Sequence, residues 1–430
     1  MARRLAPDAT LHGFLLHGRA TPTPRQLAEV GVRAETLREV TAAEFLAAQR
    51  ASADGAPYDL LVLACVGGAV QAMLHGLARV WRGVARRSVV VTGYVGVVYE
   101  KLADGLLLRH GADLVLANSS RDVARFRAVY EGVGADAAAV VPSALPFLAG
   151  RRHHPAAARG DRPYRVVFAV QPSVPAGRAE RRYLLRRAAQ HARRHPDREV
   201  VVKLRSRPGE HTTHLEEVPY QRLAEERDFD APANLRLAYG NMGALLDDTD
   251  LLVTVSSTAA LESLYRGIPT AVLTDLGVRE ALGNHYFLGS GCLCSWDDLD
   301  AGRLPRPDPD WLAAEGVLPP TDAADPADAA EVAHAPARAR LAELLARRDE
   351  HGLPPLTPYY TAATAPGYLP GVLARHGLDP TGEPLPERRA PRRSGRLGGA
   401  VRRLVRRAAR AVYRGGVHRV APLVRRWGQL

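Results

Sequence analysis

Short, unbroken apolar runs recur along this chain, each followed by a stretch with helical spacing. Residues 58–65 (YDLLVLAC), 88–92 (SVVVT), 113–117 (DLVLA) and 138–141 (AAVV) lie in the first 150 residues, with 11–16 as a further strand segment. A strand apolar on both sides has no solvent face, so it belongs in a parallel sheet covered by helices on both faces. A polar stretch at 149–163 interrupts the pattern, which then restarts. The later strand segments are 164–170 (YRVVFAV), 199–205 (EVVVKLR), 234–239, 250–255 (DLLVTV) and 270–273. Helices are expected over 67–81 and 178–195. Another runs to Arg266, ended by Gly267 and Pro269. The expectation is an α/β chain of two Rossmann-like units in tandem, with ligands beyond the carboxyl ends of the strands. The units are placed at 1–150 and 164–300. A Pro- and Ala-rich extension with a helix within 335–348 occupies 301–386, and a basic tail occupies 387–430.

Charge divides the chain in the same way. The formal net charge is +12, yet residues 388–430 alone carry fourteen arginines and no Asp, Glu or Lys. Subtracting, 12 − 14 = −2 for residues 1–387, so the body is nearly neutral. That argues against a nucleic-acid-binding body, which needs clustered positive charge. In the tail, Val401, Leu404, Val405, Ala408 and Val412 fall on one helical face, while Arg402, Arg403, Arg406, Arg407 and Arg410 occupy the rest. With Trp427 beyond them, this is the pattern of an interfacial helix on an anionic membrane surface. A disordered polyanion-binding tail is the alternative. Three cysteines without a CxxC pair point to a reducing compartment. No apolar run reaches the length of a membrane span. A cytoplasmic protein, peripheral at the inner face of the membrane, is expected.

Residues suited to chemistry gather at strand ends. The segment 250–269 (DLLVTVSSTAALESLYRGIP) places Ser256, Ser257 and Thr258 between a strand and a helix. Free N–H groups at such a turn, with three hydroxyls, suit phosphate, although one hydroxyl suffices for an ordinary helix cap. Glu262 follows on the same helix face as Thr258 and either accepts from ribose hydroxyls or is a solvated carboxylate. Lys203 and Arg205 end a buried strand, on one strand face by the two-residue period, where two cations suit a nucleotide phosphate. Glu210 and His214 lie in the following EHTTH segment, whose spacing matches no zinc signature. Gln171 and Ser173 stand in a loop containing Gly177 after the strand 164–170.

These motifs carry a resemblance. VFAVQPSVP, VVVKLRSRPGEHTTH and LLVTVSSTAALESLYRGIPTAVLTDLGV, with Asn284, Phe287 and Gly289–Gly291, resemble a family of bacterial glycosyltransferases of unassigned substrate. The segment is also distantly similar to bacterial sialyltransferases, polysialyltransferases and capsule or teichoic-acid polymer transferases. The first half matches more loosely, through VVVTGYVGVVYEK and DLVLANSSRDVARF. The resemblance implies two domains of the GT-B type facing a cleft, with the donor nucleotide sugar held by the second and a surface-glycan or lipid-linked acceptor by the first. It implies Ser256 and Ser257 as donor phosphate ligands, and no metal or other cofactor. Where those transferases carry a His-Pro pair, this chain has Lys203-Leu204-Arg205. A catalytic base is expected from the first half, with Glu100 and Asp104 as candidates and His75 as a further one. An epimerase of the same fold, acting on free nucleotide sugar, and a non-catalytic glycan- or membrane-binding protein are the alternative readings.

Overall fold

Val, Leu and Ala make up most of the apolar runs, and β-branched side chains pack well on a pleated surface. In the computed structural model these runs become strands β1 His12–Leu16, β2 Thr36–Val40, β3 Leu60–Val62, β4 Val89–Gly93, β5 Leu114–Ala117 and β6 Val140–Pro142 in the first half. The second half contributes β7 Tyr164–Ala169, β8 Arg198–Lys203, β9 Leu235–Ala238, β10 Leu251–Thr254, β11 Thr270–Leu273 and β12 Leu293–Cys294. The structure describes residues 1–385 apart from 19–20, 32, 51–55, 95, 97–101, 151, 154–161, 208–209, 211–215 and 320–325, and leaves out the side chains of 326–330. Glu100, His214 and the tail residues Arg402, Arg403, Arg406, Arg407, Arg410 and Trp427 therefore lie outside the described residues.

The second sheet is parallel throughout, in the order β12-β11-β10-β7-β8-β9. Counted from β7 this is 3-2-1-4-5-6, the doubly wound order in which the chain reverses direction of travel across the sheet between its first and fourth strands. Both faces are covered, which explains the unbroken apolar runs. Phe168, Leu184, Tyr220 and Trp296 fill one side, and Leu261, Leu264, Phe287 and Trp311 the other.

The first half holds a parallel sheet β3-β4-β5-β6 and, separately, the parallel pair β1–β2. The helix Gly67–Val80 covers one face through Met73, Leu74 and Leu77. The helix Pro326–His351 covers the other, burying Ala337, Leu341 and Leu344 against Val89, Val91 and Leu114. The expected extension thus returns to the first sheet, and residues 1–384 form one compact unit. This is the two-sheet α/β architecture expected of a GT-B chain. Strands β2 and β12 have no counterpart among the expected segments. All of β2 except Val40 is exposed, so it carries no apolar run, and β12 has only two residues. Among the described helices, none is long and apolar enough to cross a membrane.

Candidate functional site

Three strand ends lie level at the reversal point. Lys203 of β8 pairs in register with Ala169 of β7, and Ala169 with Thr254 of β10. At about 5 Å between neighbouring strands, Lys203 and Thr254 are about 10 Å apart along this row. The helix Arg178–Arg194 after β7 packs on one face and the helix Ala259–Tyr265 after β10 on the other. Their departure in opposite directions leaves a crevice beyond the strand ends.

The loop after β7 is held from beneath. The buried Arg181 donates from Nε to the Pro175 carbonyl at 2.7 Å and from Nη2 to the Gln171 carbonyl at 2.9 Å. Its Nη1 reaches Glu216 and the Val218 carbonyl, both at 3.0 Å. Arg181 is absent from the sequence expectations, although it sits among Leu184, Leu185 and Ala188 on the buried side of its helix. A lone arginine on an apolar face was the available signal. Gln171 then turns its side chain toward β10, where Oε1 accepts the Ser256 N–H at 3.0 Å. Ser173 is half-buried in the same loop.

The three hydroxyls divide their work. Ser256 is buried, with its Oγ 2.5 Å from the Leu282 carbonyl and 3.2 Å from Gln171 Oε1, so its one proton is already committed. A direct contact from this hydroxyl to a phosphate would require it to leave the Leu282 carbonyl. Ser257 Oγ accepts the Ala259 N–H at 3.2 Å and so caps the helix. Thr258 occupies the cap position but makes no side-chain cap bond, and its hydroxyl has no partner among the described residues. Glu262 is buried rather than solvated, and Oε1 accepts from Arg266 Nη2 at 3.1 Å. Burial pushes its carboxyl up to about 6, against the pull of Arg266.

Lys203 is only 9% exposed, and its Nζ donates to the Leu204 carbonyl at 2.7 Å. Burial holds its ammonium below the usual lysine range, partly offset by the charge of Glu29. Among the described residues, no carboxylate lies within ion-pair distance of Lys203 or Arg205. The expectation that the two share a strand face needs correction. The strand ends at Lys203, and Arg205 emerges from a bend, exposed to solvent. Glu210 is already bound, since Arg25 Nε reaches its Oε1 at 2.6 Å and Nη2 its other oxygen.

That contact shows how the first half meets the second. Arg25 and Glu29 belong to the helix Pro24–Val30 after β1, and Asn241 Nδ2 donates to the Glu29 carbonyl at 3.0 Å. Gly96, after β4, adopts φ +100, and a Cβ there would lie 2.8 Å from Thr258 Oγ1. At the end of β5, Ser119 Oγ and Arg121 face Glu315, which also accepts from Tyr286 Oη at 2.6 Å. None of Arg25, Glu29 or Glu315 was expected from the sequence, because each acquires its partner only when the halves meet. Asp104 is exposed on the short helix Leu102–Leu107 that follows the β4 loop. His75 Nε2 lies 2.9 Å from the Tyr360 carbonyl, which ties it to the C-terminal extension.

His191, His195 and Asp300 bring possible metal-ligating atoms within 4.8 Å of one another. Three guanidinium groups face the cluster. Arg187 and Arg194 reach Asp300 at 3.1 and 3.3 Å, and Arg198 lies 3.2 Å from His191 Nε2. Their charge opposes a cation there, and the cluster fastens the helix Arg178–Arg194 to Trp296–Asp300.

Solved structures similar to this chain include a "putative UDP-N-acetylglucosamine 2-epimerase" from Listeria monocytogenes, at 13% identity over 77% of this chain and 87% of that one, TM-score 0.43. The glycosyltransferase SnogD from Streptomyces nogalater matches at 16% identity over 75% and 88%, TM-score 0.34. Alr3699/HepE from Anabaena, in complex with UDP-glucose, matches at 15% identity over 67% and 79%, TM-score 0.37. No curated protein matches the sequence. Residues 1–333 match one family along their whole length, and the chain belongs to it: the family described as "Putative glycosyltransferase (DUF6716)".

Proposed function

We propose that this chain transfers a sugar from a nucleotide-sugar donor, held at the ends of β7, β8 and β10, to a glycan or lipid-linked acceptor bound by the first half. The observation that carries this reading is Lys203, a nearly buried cation with no carboxylate partner among the described residues, level with the Gln171 and Ser256–Thr258 turns. A buried charge without an ion-pair partner is costly, the charge of Glu29 offsets only part of that cost, and an anionic ligand offsets more. The row from Lys203 to Thr258 suits a nucleotide phosphate group, with Arg205 at its open side. Ser257, Thr258 and Gln171 would complete the polar contacts, and Glu262 lies one helical turn behind them.

In the transfer, the acceptor hydroxyl oxygen bonds to the anomeric carbon while the bond from that carbon to the donor phosphate oxygen breaks. The hydroxyl proton passes to a base from the first half, and the negative charge stays on the departing nucleotide, where Lys203 and Arg205 face it. Glu100 and Asp104 remain the proposed bases: Asp104 follows the segment after β4 in which Gly96 lies close to Thr258, and Glu100 stands four residues before it in the sequence. The test is a nucleotide-release assay over cytidine-, uridine- and guanosine-linked sugars, a panel that covers the likeness to sialyl- and polymer transferases. Acceptor-dependent release supports transfer, release of an isomerised free donor supports an epimerase, and no binding of any nucleotide overturns the donor site.

The arginine-rich tail is proposed to dock on an anionic membrane. The apolar and basic faces of residues 401–412 carry this part. Co-sedimentation with anionic vesicles compares the full chain with one ending at Pro386. Equal binding by both, or none by the full chain at low salt, overturns it.

A further inference from the structure

Between β1 and β3 the first half is not hydrogen-bonded. The space there is a cavity of about 780 Å³. Its walls are mainly apolar. Phe14 and Leu16 of β1 face Leu61 and Leu63, with Phe45 and Met73 on one side of the sheet and Leu341 and Leu345 on the other. The lining runs from His12 and Tyr58, at the amino ends of the strands, to Leu16 and Cys65, at their carboxyl ends. Five residues of β1 span about 16 Å, so the space is a slot rather than a round chamber. Its volume is that of a ligand pocket.

Arg3, Thr10, His12, Tyr58, Asp59, Arg348 and Asp349 gather toward the amino end of the strands, where water finds partners; the remainder, lined by Phe14, Leu16, Leu61, Leu63, Phe45, Met73 and Leu345, loses packing when empty and offers water few side-chain partners. A hydrocarbon chain suits that apolar remainder, because it is narrow and needs no hydrogen bonds from these side chains. We propose that the slot holds the alkyl or isoprenoid chain of an amphipathic acceptor, with its polar head at the carboxyl end near Leu16 and Cys65. This deepens the glycosyl-transfer reading and rests on it. The position of the slot argues for the head-group direction. The chain leaving β1 leads into the helix Pro24–Val30, whose Arg25 and Glu29 reach Glu210 and Asn241 across the cleft. A head group leaving the slot at that end enters the space facing Lys203, where the donor sugar would be presented.

The test uses n-alkyl β-glucosides from butyl to nonyl, kept monomeric, with the full chain in calorimetry. An uncharged head separates chain binding from attraction to the arginine-rich tail. One molecule per chain is expected, with affinity rising about fourfold per added methylene. Leu345→Trp, which fills the slot away from the donor residues, is expected to remove this binding while the melting temperature holds or rises. Binding that ignores chain length, or survives unchanged in a folded Leu345→Trp variant, overturns the proposal. If that variant does not fold, the chain-length series on the unaltered protein decides alone. Nucleotide binding is measured separately. Donor release without alkyl binding sinks this inference only, and alkyl binding without any nucleotide affinity sinks the donor site instead.

Discussion

Across the second sheet the hydrogen-bond ladder runs unbroken from β12 to β9, whereas in the first half it stops at β3 and the pair β1–β2 stands apart. Each half nevertheless follows a repeating strand–helix plan. In the second half, the ladder places Lys203, Ala169 and Thr254 in one row, and the buried Arg181 fixes the loop beside them. In the first half, the break in the ladder opens a slot walled by Phe14, Leu63 and Leu345. On the proposed reading, the difference matches what each half would hold. A phosphate is small, charged and alike among donors, so its site gains from rigid preorganised contacts. An acceptor varies, and an opened sheet accommodates shape at the cost of packing.

The largest expected effect tests packing directly. Phe168 is fully buried between Tyr220 and Trp296, with ring centroids 6.3 and 5.8 Å away. Phe168→Ala should cost about 3–5 kcal/mol in urea denaturation, the scale for truncating a packed aromatic. Phe14→Ala, beside the slot, should cost less than half as much, and equal losses would erase the contrast between the halves. Next, Lys203→Ala should slow transfer about 100-fold or more, the scale of removing one charge-stabilising donor. Its melting temperature should not fall, because no ion pair is lost. An undiminished rate per folded molecule would make Lys203 structural. Asp104→Asn sharpens this result, since a base from the first half should affect turnover and leave nucleotide affinity intact.

A pH experiment addresses the seam between the halves. Burial, and then the charge of Glu315, push the Asp122 carboxyl up from 3.8 to about 6. The folded state thus holds a proton that the unfolded chain releases. Stability on this account falls as pH rises from about 4 to about 6, and stays lower above that. Asp122→Asn should be more stable than the natural chain at pH 7, by up to about 3 kcal/mol, with the gain fading toward pH 4. A variant that melts lower at pH 7 would show that the carboxylate is favourably held instead. The smallest effect belongs to the hydroxyl turn. Ser257→Ala should weaken nucleotide binding by about 1 kcal/mol in calorimetry. A loss of stability with unchanged nucleotide affinity would leave Ser257 as a helix cap only.

Much of the second sheet was legible before any coordinates. Runs such as DLLVTV and TAVL are apolar on both sides, and only a doubly covered parallel sheet buries them fully. The helix stop at Gly267 and Pro269 and the clustering of Gln171, Lys203 and Ser256–Thr258 at strand ends followed from the same alternation. Those features are local, with their physical cause within a few residues. Other features depend on what the chain meets far away. Ser256 and Ser257 look alike in sequence, yet one hydroxyl faces the Leu282 carbonyl and the other caps a helix. Glu210 looks available until Arg25, 185 residues earlier, reaches it. β2 is exposed along most of its length, so no apolar run marks it, and the slot beside β1 exists only because β1 fails to pair with β3. Sequence determined which segments become strands and helices, because hydrophobic period and capping are short-range. The tertiary structure decided which polar groups remain free for a ligand, because a side chain's availability depends on every partner the fold brings within hydrogen-bond reach.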